Sequence, residues 1–132
     1  MYMLDTDTCV YILQNNPVVV DVFKNKIAEG IAISSISLAE LEYGVYNSKK
    51  STFEQNRNKL LEFMKLVDVL PFEQPATTHY GILRADLRRK GQIIGANDML
   101  IGAHCKSEGL ILVTNNTDEF KRVKGLNLEN WL

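Results

Sequence analysis

The feature that most limits how this chain can fold is a set of short apolar runs, each too brief for a helix. Tyr2-Met3-Leu4 stops at Asp5, Ile31–Ile36 follows Gly30, Val67–Phe72 is closed by Pro71, and Leu110–Thr114 stops at Asn115. Runs of this length with little polar alternation fit strands buried on both faces. Helical signals fill the gaps between them. Cys9–Leu13 reads as a first helix, and Pro17 suits the opening turn of a second that reaches about Ile27. Ser37-Leu38-Ala39-Glu40 has capping-box spacing and opens a third helix that passes Tyr43. Phe53, Leu60, Leu61, Met64 and Val67 mark one apolar face of a helix over Thr52–Val67.

Beyond the third strand, a helix from about Pro75 to Lys90 ends in bases that suit its negative pole, with Gly91 as its stop. Asn97 or Asp98 opens a further helix through Cys105 towards Glu108, ended by Gly109. A short helix around Glu119 then leads to a strand-like stretch at Leu126–Leu128. This alternation predicts an α/β three-layer sandwich, a mostly parallel central sheet flanked by helices. A length of 132 residues suits one domain spanning 1–132.

Composition excludes some classes. With 45% hydrophobic and 23% charged residues, the chain is neither disordered nor collagenous. Cys9 and Cys105 lack CxxC spacing and lie in apolar runs, so they read as reduced core thiols. No charged stretch leads into an apolar leader, and the expected address is the cytoplasm. A formal net charge of −1 argues against a nucleic-acid binder until its distribution is considered. Four of the 16 acids (Asp5, Asp7, Glu40 and Asp98) are candidates for one site, which leaves 12 against 15 bases. Those bases cluster as Lys49-Lys50, Arg84 with Arg88-Arg89-Lys90, and Lys121-Arg122 with Lys124. Such clusters can hold phosphates, although solvated helix faces look the same.

In an open parallel sheet, ligands gather beyond the carboxyl ends of the strands. Asp5 follows the first strand, Glu40 lies about a turn past the second, Asn115-Asn116 follow the fourth, and Asp98 opens the preceding helix. Each has a plain structural alternative. Asp5 and Asp7 could be caps or turn residues, Glu40 the third residue of its capping box, and Asp98 a complement to a helix N-terminus. Together they point further, because convergent carboxylates repel unless a cation joins them. Hard oxygen donors suit Mg²⁺, with Mn²⁺ as the alternative. His104 and Cys105 are poorly spaced from Asp98 for zinc, and His79 lies on a distant amphipathic helix. Acid-only sites of this kind commonly perform in-line displacement at phosphorus.

The blocks YMLDTDTCVYIL from Tyr2, SSISLAELEYGVYNS from Ser34, IGANDMLIGAHC from Ile94 and LVTNNTDEFKRVKGLNLENWL from Leu112 resemble, in order and spacing, those of VapC-type PIN-domain toxins. The resemblance implies a PIN-like fold, a Mg²⁺-dependent endoribonuclease and a homodimer. It further implies inhibition by a cognate VapB-like antitoxin, whose C-terminal segment fills the active-site groove and through which the pair assembles on operator DNA. Carried over by position, Asp5, Glu40 and Asp98 are metal-binding and catalytic, and Asn116 takes the fourth, often acidic, catalytic position. Position 7, usually Asn in the family, is Asp7 here. It is expected to hold Asp5 or a water on the cation by hydrogen bonds.

Two rival readings differ in chemistry. Asp5-Thr6-Asp7-Thr8 approaches the signature of haloacid-dehalogenase-like phosphatases, with Asp5 as nucleophile, but that signature needs Thr or Val where Cys9 stands. A non-catalytic binding module on the same fold would be favoured by broken acids, and Asp5, Glu40 and Asp98 are intact.

Overall fold

A computed structural model describes residues 1–132. Its sheet has five strands, β1 (Tyr2–Leu4), β2 (Ile31–Ser34), β3 (Asp68–Leu70), β4 (Ile111–Val113) and β5 (Leu128–Glu129). They run in the order β3-β2-β1-β4-β5, and every pairing is parallel. The chain builds outwards from β1 to β3, then returns to lay β4 on the other side of β1. That reversal opens a crevice at the carboxyl ends of β1 and β4, where Leu4 pairs with Val113.

Side-chain alternation along the strands divides the core. Tyr2 and Leu4, with Ile31, Ile33 and Val113, pack under helices α1 (Thr6–Leu13), α2 (Pro17–Lys26), α3 (Ser35–Tyr46) and α4 (Phe53–Met64). Met3 and Leu112 point the other way, towards α5 (Gln74–Arg89), α6 (Ala96–Glu108) and α7 (Thr117–Phe120). Three layers result, as the strand–helix alternation predicts. Gly109 ends α6 in the left-handed conformation at φ +66°, which turns the chain into β4 without a Cβ penalty. No helix is long and apolar enough to cross a membrane.

Several boundaries differ from the sequence expectation, and the cause is side-chain capping. Asp5 accepts a hydrogen bond from the Thr8 amide, so α1 begins at Thr6 rather than near Cys9. Ser34 likewise accepts from the Ile36 amide, so β2 ends there and α3 starts at Ser35. Ser37 and Glu40 therefore form no capping box. Glu40 lies in the second turn of α3, free of any capping duty. The third and fifth strands are shorter or shifted, to Asp68–Leu70 and Leu128–Glu129.

Leu112 is fully buried at the centre of the sheet beside Met3. Leu112→Ala should cost about 2–5 kcal/mol in urea unfolding with little change in slope, and a loss under about 1 kcal/mol would mean a looser core.

Candidate active site

Asp5 is the fixed point of the site. It is 3% exposed, with Oδ1 accepting from the Thr8 amide at 2.8 Å and Oδ2 from the Thr114 hydroxyl at 2.5 Å. The second bond spans 109 residues and exists because β4 lies beside β1. The Asp5 amide donates to the Val113 carbonyl, and the Thr8 hydroxyl donates to the same oxygen. Burial raises the Asp5 pKa, and the hydrogen bonds from Thr114 and Thr8 oppose that rise.

Asp98 sits in the first turn of α6 and folds back over Gly95, where a Cβ would stand 3.4 Å from its Oδ2. Its pKa is pushed up to about 6, first by burial and then by the charges of Asp5, Glu119, Asp7 and Glu40. These acids thus share one electrostatic neighbourhood. Glu40 is half-buried and reaches α1, where the Thr6 hydroxyl donates to its Oε1 at 2.6 Å. Glu40 also lines a shallow pocket with Gly95, Asn97 and Asp98, which joins α3 to the α6 entrance.

The remaining candidates are placed differently. Asn116 is half-buried, and its side-chain amide donates to Glu119 Oε2 at 2.8 Å while its backbone amide donates to the Thr114 hydroxyl. Asp7 is exposed in the first turn of α1 and makes no hydrogen bond to Asp5. Of the two partners expected for Asp7, Asp5 is therefore not reached by a direct hydrogen bond. With α1 starting at Thr6, Asp7 stands exposed, and its charge raises the pKa of both Asp5 and Asp98. Sequence reasoning passed over Glu119, Thr114 and Thr6. The spacing Asn116-x-x-Glu119 at a helix start is a signal for the first, whereas the threonine contacts depend on strand order.

None of the ion pairs in the structure engages Asp5, Glu40 or Asp98. Nor do three acidic, histidine or cysteine side chains close into a direct ligand cage. Mg²⁺ needs no such cage, because it is held by one or two carboxylates and keeps several waters. The donor set is all oxygen, lacks a protein cation and stands over two helix N-termini. It fits a hydrated hard divalent ion. The basic clusters lie on the surface, and Arg122 reaches the Ile93 carbonyl just ahead of Asp98.

The sequence matches the PIN domain family over residues 2–126. Ribonuclease VapC2 of Rickettsia felis is 48% identical over 99% of this chain and 98% of its own. The tRNA(fMet)-specific endonuclease VapC of Shigella flexneri is 42% identical over 98% and 97%. The crystal structure of VapBC2 from Rickettsia felis, bound to a promoter DNA fragment, superposes with a TM-score of 0.93. It is 46% identical and covers 99% of this chain and 98% of that one. The chain belongs to the PIN-domain family, in its VapC branch.

The raised Asp98 pKa has a stability consequence in metal-free protein. Between about pH 4, the unfolded value, and about pH 6, the folded state holds more protons, so stability falls as pH rises through that window. Asp98→Asn should therefore raise the melting temperature at pH 7.5 in EDTA, and the gain should vanish below about pH 4. A gain that is the same at both pH values would contradict this account.

Proposed function

We propose that this protein is the toxin of a type II toxin–antitoxin pair, a divalent-metal-dependent endoribonuclease that hydrolyses RNA phosphodiester bonds. The observation that carries this reading is a group of acids at the carboxyl edge of a parallel sheet, sharing one field without a protein cation. Asp5, Glu40 and Asp98 would hold Mg²⁺, with Mn²⁺ as the alternative, partly through water. When bound, the ion supplies positive charge to the scissile phosphate and makes nearby water more acidic. Thr114 and Thr8 hold Asp5 in one rotamer, and Thr6 steers Glu40. Asn116 steadies Glu119 at the rim, and Asp7 adds negative charge. The whole chain, 1–132, acts as a single PIN domain in the cytoplasm, a compartment that suits its two free buried thiols.

A phosphatase that uses Asp5 as nucleophile is disfavoured. Asp5 is enclosed, and both its oxygens are engaged. An attacking carboxylate must meet phosphorus in line, whereas an ion needs far less room.

The inhibitor is a cognate VapB-like antitoxin, and a homodimer of the toxin binds operator DNA through it. An apolar groove runs from Thr6 and Glu40 along Val10, Leu13, Leu41 and Leu60. Gly44 leaves it open, since a Cβ there would meet nothing within 4 Å. A segment lying in this groove would reach the acids, and an Arg or Lys on it would satisfy them.

RNA cleavage by the purified protein, with EDTA and p-nitrophenyl phosphate as controls, tests the activity. Asp5→Asn should abolish cleavage with the fold intact, and Glu40→Gln should lower it about 100-fold or more, since the ion supplies several kcal/mol to the transition state. Full activity in either variant at saturating Mg²⁺ would remove that residue from the site. Gly44→Leu should leave cleavage near the parent level and weaken antitoxin binding about tenfold or more, as its side chain blocks the groove. Unchanged antitoxin affinity would move the docking site elsewhere.

A further inference from the structure

His104 is 1% exposed, in the middle of α6, and the chemistry above makes no use of it. Its Nδ1 lies 2.8 Å from the Ser34 hydroxyl, 70 residues away. The Ser34 oxygen already accepts from the Ile36 amide as the cap of α3. A hydroxyl accepts and donates at once, so Ser34 can also give its proton to Nδ1, and the Glu108 carboxylate facing the other ring nitrogen selects that arrangement, with the imidazole proton on Nε2. That N–H is buried, has no hydrogen-bond partner and stands 3.9 Å from Glu108 Oε1. The opposite tautomer would aim a lone pair at a carboxylate. Burial lowers the His104 pKa, against the opposing charges of Glu108 and Glu73, in keeping with a neutral ring.

The neighbours close a circuit. Ser35 accepts from the Phe72 amide at 3.0 Å, and the Phe72 ring meets the imidazole edge-on at 5.5 Å. Ser34, Ser35, Phe72 and His104 thus tie the end of β2, the exit of β3 and α6 at one point. Helices α3 and α6 meet directly where Ile36, Ala39 and Glu40 face Asn97 and Leu100, and the Ser34–His104 bond is the one hydrogen bond between α6 and the β2–α3 segment. Asp98 rides on α6 and Glu40 on α3.

We infer that His104 is a positioning residue, whose hydrogen bond to Ser34 sets α6 against α3 and so fixes Asp98 relative to Glu40 for metal binding and RNA cleavage. The inference rests on the proposed roles of those two acids. A misplacement of about 1 Å in such a site costs roughly 100-fold in rate, which makes one buried anchor consequential.

The test compares His104→Leu, which fills the space without an acceptor, with His104→Asn, whose Oδ1 can take the Ser34 proton. Both are studied well below their melting temperatures. His104→Leu should lower kcat roughly 10- to 100-fold with KM for RNA within about twofold, and His104→Asn should recover most of it. Calorimetric Mg²⁺ affinity should weaken about threefold or more in His104→Leu alone. In a Glu40→Gln background, His104→Leu should cost no more than about a further twofold, because the geometry it protects is already spent. Parental kcat and Mg²⁺ affinity in His104→Leu, equal losses in both variants, or full multiplication with Glu40→Gln would each overturn the inference. If His104→Leu does not fold, Ser34→Ala removes the same bond from the other end and is read by the same criteria. Absence of Mg²⁺ binding in the parent would instead strike the underlying reading of the site, and this inference with it.

Discussion

The parallel pairing of β1 with β4 at the centre of the sheet is the constraint on which the site depends. It brings the Thr114 hydroxyl to Asp5 from the far end of the chain, while the start of α1 brings the Thr8 amide. Asp5 is thereby a helix cap, a link between strands and the innermost acid at once. A carboxylate so enclosed is tolerable only because each oxygen has a donor and a helix N-terminus faces it. The other acids then assemble around a group that cannot move. Glu40 is tied to the residue after Asp5, and Asp98 arrives on the helix preceding β4.

That arrangement sets stability against function. The charges of Asp5, Glu119, Asp7 and Glu40 all bear on Asp98, and no lysine or arginine forms an ion pair with any of the five. Repulsion of this kind is unfavourable for the fold and useful for a site that must attract a divalent ion. A peptide carrying a basic side chain would relieve the same strain. The site therefore gives one physical reason for two behaviours, recruitment of metal and inhibition by an antitoxin.

Much of this was legible in the sequence, for identifiable reasons. The apolar runs located four strands, and the rule placing ligands at strand ends selected Asp5, Glu40, Asp98 and the Asn116 region. What escaped was set by local competition or by topology. Ser34 outcompeted Ser37 as the cap of α3, which turned Glu40 from an apparent capping residue into one with no such role. Asp7 is exposed because the Asp5 cap starts α1 at Thr6, ahead of the Cys9 start that the apolar pattern suggests. Thr114 and His104 make their contacts across 109 and 70 residues. No local pattern encodes such pairs without the strand order.

The central claim is that these acids form a divalent-ion site whose charge is partly held in check by protonation of Asp98. Calorimetry of Mg²⁺ binding in buffers of different ionisation enthalpy measures the protons released. With the Asp98 pKa near 6, binding should release about half a proton at pH 6 and close to none at pH 8. Mg²⁺ binding that releases no proton at pH 6, or no binding at either pH, would contradict the account.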